Sequence, residues 1–200
     1  MKPYTRAEAE ADMADAIGRN DMNGALRAAA DLDRMGPAAV VGLGAAALWY
    51  AEHGLPVFPL QSGGKVPLPR THGVNDATTD TDVIDRWWQL HPDSNIGLAT
   101  GHRVDVIDFA GPQAHAAWGQ RYGEDWTDAE VDVLGTVSTP RAGGLHIYIP
   151  VTGDPNAANI GGLIGVDFRG IGGYVVAPPS VTLVGRYRWL RSLNLERADG

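Results

Sequence analysis

Two carboxylates and one imidazole stand within short apolar runs in the second half of the chain, where they could bind a cation or move a proton. Asp108 ends the run that begins at Val104, His146 lies in the run 145–149, and Asp167 lies in the run 165–168. Side chains at strand ends are held rigidly and can converge across a sheet. Each one alone has an ordinary alternative, a turn-capping aspartate or a core histidine. In isolation the ordinary interpretation is favoured for each, but together they form an ordered series that matches a known pattern.

A cation accompanies the last of these side chains. Arg169 follows Asp167 by two residues, so both point to the same face of a strand, and its guanidinium offers a planar fork for phosphate. The glycines of the segment 170–173 let the backbone approach a ligand closely. A surface Asp–Arg pair at a hairpin is the alternative interpretation.

The elements that position these residues predict an α+β fold, helical first and rich in strands later. Amphipathic spacing predicts two helices within 4–34, an apolar helix over 38–52, a helix over 82–90 capped by Asp80 or Thr81, and one over 112–122. Short apolar runs between glycine-rich turns predict strands at 56–60, 96–100, 104–109, 135–138, 145–149, 165–168, 174–177 and 187–190. The long polar loop 153–162 is expected at the rim of a site.

The same pattern predicts how the chain is divided. We expect an N-terminal helical segment over 1–36, one main domain over 37–192 and a tail over 193–200. Two hundred residues with 44% hydrophobic composition suffice for one domain with its own core.

Composition limits the chemistry and the compartment. The absence of cysteine excludes disulfides and cysteine-type zinc sites, so a metal would sit on carboxylates and histidines, which suits Mg²⁺ or Mn²⁺. A net charge of −8 counts against an extensive basic surface for nucleic acid but permits a local basic groove. The sequence starts with no basic-then-apolar leader and holds no run of about 18 apolar residues, so we expect a cytoplasmic protein without a membrane partner.

Several segments in a fixed order carry a likeness to a known family. They are Trp49-Tyr50-Ala51 through Pro59-Leu60, Gly63-Gly64-Lys65-Val66-Pro67-Leu68, Thr71-His72-Gly73 with Ala77-Thr78-Thr79-Asp80, Trp87-Trp88 leading to Asn95-Ile96-Gly97-Leu98, Val106-Ile107-Asp108, Thr139-Pro140-Arg141-Ala142-Gly143-Gly144-Leu145-His146-Ile147-Tyr148, and Val166-Asp167-Phe168-Arg169 with Gly172-Gly173-Tyr174. From about Ala45 to Trp189 the chain resembles the N-terminal domain of bifunctional DNA primase/polymerases, in the archaeo-eukaryotic primase superfamily.

The resemblance implies a primase/polymerase-like fold, with a mixed or antiparallel central sheet flanked by helices, and template-directed nucleotide addition with Mg²⁺ or Mn²⁺. By position it makes Asp108, His146 and Asp167 catalytic: the two aspartates as metal ligands, and His146 as a contact to the phosphates of the incoming nucleotide. It also suggests phosphate or template contacts for three cations, with solvated surface cations as the alternative: Lys65, Arg141 and Arg169. The implied partners are a nucleoside triphosphate, a DNA or RNA template, and a helicase or other replication protein of a mobile element or phage.

One position departs from the family pattern. The first family motif carries two acidic residues separated by one, whereas this chain reads Asp108-Phe109-Ala110. Asp105 lies three residues from Asp108 and points to the other face, so it is a poor substitute; Glu124 is a second acid that could be recruited. The resemblance therefore predicts a nucleotidyltransferase whose catalysis is weakened or abolished at Ala110.

Two other functions stay open on the sequence alone. The domain could be a catalytically inactive module of the same fold that binds nucleotide or single-stranded nucleic acid, which Ala110 and the net charge favour. The acidic N-terminal helices could instead dock a partner protein, which exposed apolar stripes on them would support.

Overall fold

A computed structural model describes residues 11, 12, 15, 42–123 and 132–196. Three predictions lie outside these residues and stay predictions: the helices within 4–34, the domain boundary at 36/37 and the end of the tail. Only the isolated positions 11, 12 and 15 of the first helical segment are described. Glu124 also lies outside the described residues.

Three α-helices are described, and each was predicted from the sequence, although the first begins at Leu43 and not at residue 38, with Gly42 as its N-cap. They are α1 (Leu43–Glu52), α2 (Thr81–Leu90) and α3 (Pro112–Tyr122), with short 3₁₀ turns at Gly73–Asp76 and Ile160–Gly162. Asp80 caps α2 as predicted, since its carboxylate accepts hydrogen bonds from the backbone N–H groups of Asp82 (3.0 Å) and Val83 (3.2 Å). Ile84 and Trp88 are buried on the inner face of this helix.

Ten strands form antiparallel pairs throughout the described chain, which confirms the α+β fold class. The strands are β1 (Val57–Leu60), β2 (Asn95–Ala99), β3 (Asp105–Phe109), β4 (Gly135–Ser138), β5 (Leu145–Ile149), β6 (Val166–Arg169), β7 (Tyr174–Ala177), β8 (Val181–Thr182), β9 (Gly185–Arg186) and β10 (Arg188–Arg191). They make a three-stranded sheet β1-β2-β7, a five-stranded sheet β10-β4-β5-β3-β6 and the hairpin β8-β9. The sequence predicted all but the hairpin, with ends that either agree or differ by one residue.

The five-stranded sheet separates two hydrophobic cores because its side chains alternate between its faces. Ile107, Phe109 and Ile147 pack with Trp118 of α3 on one side. Val106 and other residues of the opposite face pack in a core shared with β1, β2, β7, α1 and α2. Asp108 lies on the face of Val106, toward the three-stranded sheet. Within the described ranges no helix is both long and apolar enough to cross a membrane.

Candidate active site

The three chemistry-bearing side chains form one row across the five-stranded sheet. Asp108 on β3 is the register partner of His146 on β5 and of Asp167 on β6. Directly paired residues on neighbouring strands project to the same face with their Cβ atoms about 5 Å apart. Sheet register therefore brings together residues that lie 59 positions apart in the sequence, from Asp108 to Asp167.

This row borders a cleft of about 440 Å³ between the two larger sheets. The five-stranded sheet contributes the row itself, and β7 with the turn before it supplies the opposite wall. The lining residues are Lys65, Asp108, Phe109, Ala110, Thr139, Arg141, His146, Asn156, Asp167, Arg169, Gly172, Gly173, Tyr174, Val175, Val176 and Tyr187. All six site residues proposed from the sequence are among them, and Asn156 places the predicted rim loop at the cleft.

Arg169 bridges the two carboxylates. Its Nη2 atom lies 2.7 Å from Asp167 Oδ2 and 3.4 Å from Asp108 Oδ2. The other oxygen of Asp167 accepts a hydrogen bond from the backbone N–H of Asn159 at 2.9 Å. All three charged side chains are about one quarter exposed to the cleft. The two negative charges are thus compensated by a side chain that can turn toward a different anion.

His146 is buried beside Asp108, with Nε2 at 3.7 Å from Asp108 Oδ1. Burial lowers the pKa of His146 to about 4; the carboxylate of Asp108 opposes this shift, whereas the charges of Lys65 and Arg169 reinforce it. The imidazole is therefore neutral at pH 7. Its Nδ1 has no hydrogen-bond partner among the described residues, whereas Nε2 faces an oxygen of Asp108, an acceptor, so the proton belongs on Nε2.

Two further cations reach the cleft from separate turns. Lys65 lies in the turn after β1, with its Nζ 5.7 Å from the centre of the Tyr187 ring. Arg141 lies in the β4–β5 turn, which the hydrogen bond from Gly144 N to Arg141 O closes at 2.9 Å. Gly143 has a φ of 69° in this turn, a conformation that favours glycine. Counting only charged side chains, the cleft holds three cations and two carboxylates.

Ala110 stands at the position where the resemblance predicts a second acid. Two residues beyond Asp108 on the same face, it lines the cleft, and its backbone N–H is bonded to Gly165 O at 2.8 Å. The methyl group supplies no ligand. Asp105 does not replace it, as its spacing predicted: its buried carboxylate accepts hydrogen bonds from Gly101 N (3.0 Å) and from the backbone N–H and hydroxyl of Thr152 (2.7 and 3.0 Å).

The donor set fits one divalent cation, and only with help from a ligand. In the described part of the chain no three His, Asp or Glu side chains converge as a metal centre. Asp108 and Asp167 offer two neighbouring carboxylates, the hard oxygen donors that Mg²⁺ and Mn²⁺ take, and such an ion would need further oxygen ligands from phosphate or water.

Sequence reasoning missed some cleft residues. Tyr187 lies at the start of the predicted last strand, yet it forms part of the wall, with its ring centre 5.6 Å from that of His146. Burial raises the pKa of its phenol, so the group stays protonated and able to donate a hydrogen bond. Only the fold reveals it, because no spacing rule relates Tyr187 to His146.

Comparison with known proteins adds a family to this geometry. The family model described as bifunctional DNA primase/polymerase, N-terminal, matches residues 47–199. No curated protein matches the chain. Since the matched span covers all ten strands, the helices α2 and α3, the last six residues of α1 and every residue of the cleft, the chain belongs to the bifunctional DNA primase/polymerase N-terminal family, and it carries a DNA primase/polymerase-type domain.

Proposed function

We propose that this domain binds a nucleoside triphosphate in the cleft and transfers its nucleotide to the 3′-hydroxyl of a strand paired to a DNA or RNA template. One observation carries the proposal: Asp108, His146 and Asp167 stand in register on three neighbouring strands and face a cleft that three cations line. Carboxylates, a neutral imidazole and cations around one space are the groups that nucleotidyl transfer needs.

The charges of the cleft support a polyphosphate ligand. Lys65, Arg141 and Arg169 outnumber the two carboxylates, and His146 is neutral at pH 7. Lys65 and Arg141 lie on separate turns, so they can approach a triphosphate from different sides. Arg169 would exchange its two carboxylate partners for phosphate oxygens, which its fork of N–H donors matches equally well.

The carboxylates and the imidazole then take distinct roles. Asp108 and Asp167 would hold Mg²⁺ or Mn²⁺ together with phosphate oxygens, and the ion when bound lowers the pKa of the attacking hydroxyl and neutralises phosphate charge. His146 donates a hydrogen bond from Nε2 to a phosphate oxygen. The hydroxyl loses its proton to solvent and its oxygen bonds to the α-phosphorus, while the bond from the α-phosphorus to the oxygen bridging to the β-phosphorus breaks. Pyrophosphate then leaves against the cations.

Ala110 limits this chemistry in the proposal. With two protein carboxylates the site holds one ion, so we expect slow transfer, favoured by Mn²⁺. A helicase or other replication protein as partner stays a prediction.

Primer extension with labelled nucleotides and Mn²⁺ or Mg²⁺ tests the proposal. We expect weak extension by the natural chain, loss of extension in Asp108→Ala and Asp167→Ala, and at least about a tenfold gain in Ala110→Asp, because a ligand is restored. Extension that Asp108→Ala and Asp167→Ala leave unchanged would show that the row is not the active site.

A catalytically inactive binding module is the second candidate, and Ala110 is the observation that favours it. In that case labelled nucleotide binds the natural chain, and Lys65→Ala and Arg141→Ala lower its affinity. No variant incorporates the nucleotide, Ala110→Asp included.

A further inference from the structure

The β8–β9 hairpin carries an unusual exposed tip. Its strands are joined by a two-residue turn, since Thr182 pairs with Gly185. Such turns favour Asn, Asp and Gly, but here the two turn residues are Leu183 and Val184, whose side chains are 97% and 74% exposed. Val181, on the adjoining strand, is 40% exposed. Three aliphatic side chains within four positions thus present a small apolar surface to solvent.

The hairpin is firmly held behind this tip. The buried amide of Asn95 donates to Gly64 O (2.8 Å) and Val181 O (2.7 Å), and its oxygen accepts from Val181 N (3.0 Å). Leu183 N donates to Gly63 O at 3.3 Å. A ligand that contacts the tip therefore meets a surface that needs little further ordering.

The tip stands between two turns that bring cations to the cleft. On one side, Gly63 belongs to the turn that carries Lys65. On the other, a Cβ built on Gly185 would lie 3.4 Å from Pro140, the neighbour of Arg141. Arg186 lies on β9 itself, one residue before Tyr187 of the cleft wall. Apolar side chains at the centre and cations around them complement unstacked bases on a phosphate backbone.

We infer that the hairpin tip, formed by Val181, Leu183 and Val184, contacts the bases of single-stranded DNA where the strand passes the cleft, while Arg186 holds one of its phosphates. This inference rests on the proposed function and adds a strand-contacting surface to it. Leu183 can insert against a base step, as apolar wedges do, and so present the next template base unstacked beside the nucleotide.

The test compares binding of fluorescein-labelled single-stranded DNA by anisotropy with binding of a labelled deoxynucleoside triphosphate. In the double variant Leu183→Ser/Val184→Ser we expect about a tenfold loss of DNA affinity, because the burial of two aliphatic side chains against bases is lost, with nucleotide affinity unchanged. Leu90→Ser is the matched control, since Leu90 on α2 is as exposed as Val184 and lies outside the cleft, and its replacement should leave both affinities unchanged.

Salt dependence separates apolar from ionic contact. The double variant should keep the slope of log affinity against log salt concentration, whereas Arg186→Gln should reduce it by about one. Unchanged DNA affinity in the double variant, or an equal loss in Leu90→Ser, would overturn the inference. A concentration-dependent dimer of the natural chain that the double variant abolishes would also overturn it, because the tip would then contact a second copy of the chain. If the natural chain binds nucleotide but no DNA, the inference alone is contradicted. If it binds neither, the proposed function is contradicted as well.

Discussion

The two ends of strand β3 carry the same side chain in opposite circumstances. Asp105 is fully buried, and fixed donors of the protein, from Gly101 and Thr152, satisfy both of its oxygens. Asp108, three residues on, is open to the cleft and is compensated by Arg169 at 3.4 Å, a cation on a long side chain. Backbone donors cannot leave, whereas a guanidinium can. One end of the strand is therefore structural, and the other can exchange its partner for a ligand.

Replacing each aspartate by alanine gives the largest expected effect. Asp105→Ala leaves buried donors unsatisfied and should lower the free energy of unfolding by about 4 kcal/mol. Asp108→Ala is the matched control on the same strand and should cost less than about 1 kcal/mol, because a partly exposed ion pair contributes little. Urea unfolding followed by circular dichroism measures both. Equal losses would remove the distinction between the two ends.

His146 gives the exchangeable end a pH dependence of its own. Its pKa is about 4 in the fold and about 6.5 when unfolded, so the unfolded state binds the extra proton between these values. Protonation of His146 therefore leaves the free energy of unfolding unchanged above pH 6.5 and lowers it as the pH falls toward 4, by up to about 3 kcal/mol. Unfolding curves from pH 4 to 7.5 should show this decline, and His146→Gln should flatten it.

The difference in pH dependence between the natural chain and His146→Gln reports on His146 alone. Burial also lowers the pKa of His115, but that residue is present in both, so its contribution to the pH dependence cancels. Parallel curves for the natural chain and His146→Gln would contradict a neutral buried imidazole.

The sequence predicted the two ends of β3 unequally well. The three-residue spacing placed Asp105 and Asp108 on opposite faces, because strand side chains alternate strictly. The same rule put Arg169 beside Asp167. It could not bring Arg169 to Asp108, since that contact depends on the β3–β6 register, a long-range pairing that local spacing does not encode.

The features that residue spacing alone did not predict share a physical cause: they depend on long-range contacts or on elements too short to show a pattern. The strands β8 and β9 have two residues each and an aliphatic turn, so neither alternation nor turn chemistry identifies them. Tyr187 reads as an ordinary strand residue until the sheets close around the cleft. Lys65 and Arg141 came only from the family resemblance, and the fold brings both to the cleft through turns far apart in the chain.

Binding of Mn²⁺, followed by electron paramagnetic resonance with and without a deoxynucleoside triphosphate, tests the central claim most directly. The natural chain should bind Mn²⁺ weakly alone and more tightly with nucleotide, because phosphate draws Arg169 away and adds ligands. Arg169→Gln should bind Mn²⁺ alone about tenfold more tightly, since the competing cation is gone. Asp108→Ala should lose the nucleotide-dependent binding, and Asp93→Ala, in an exposed turn, should keep it. Nucleotide-dependent Mn²⁺ binding that survives Asp108→Ala would contradict the account.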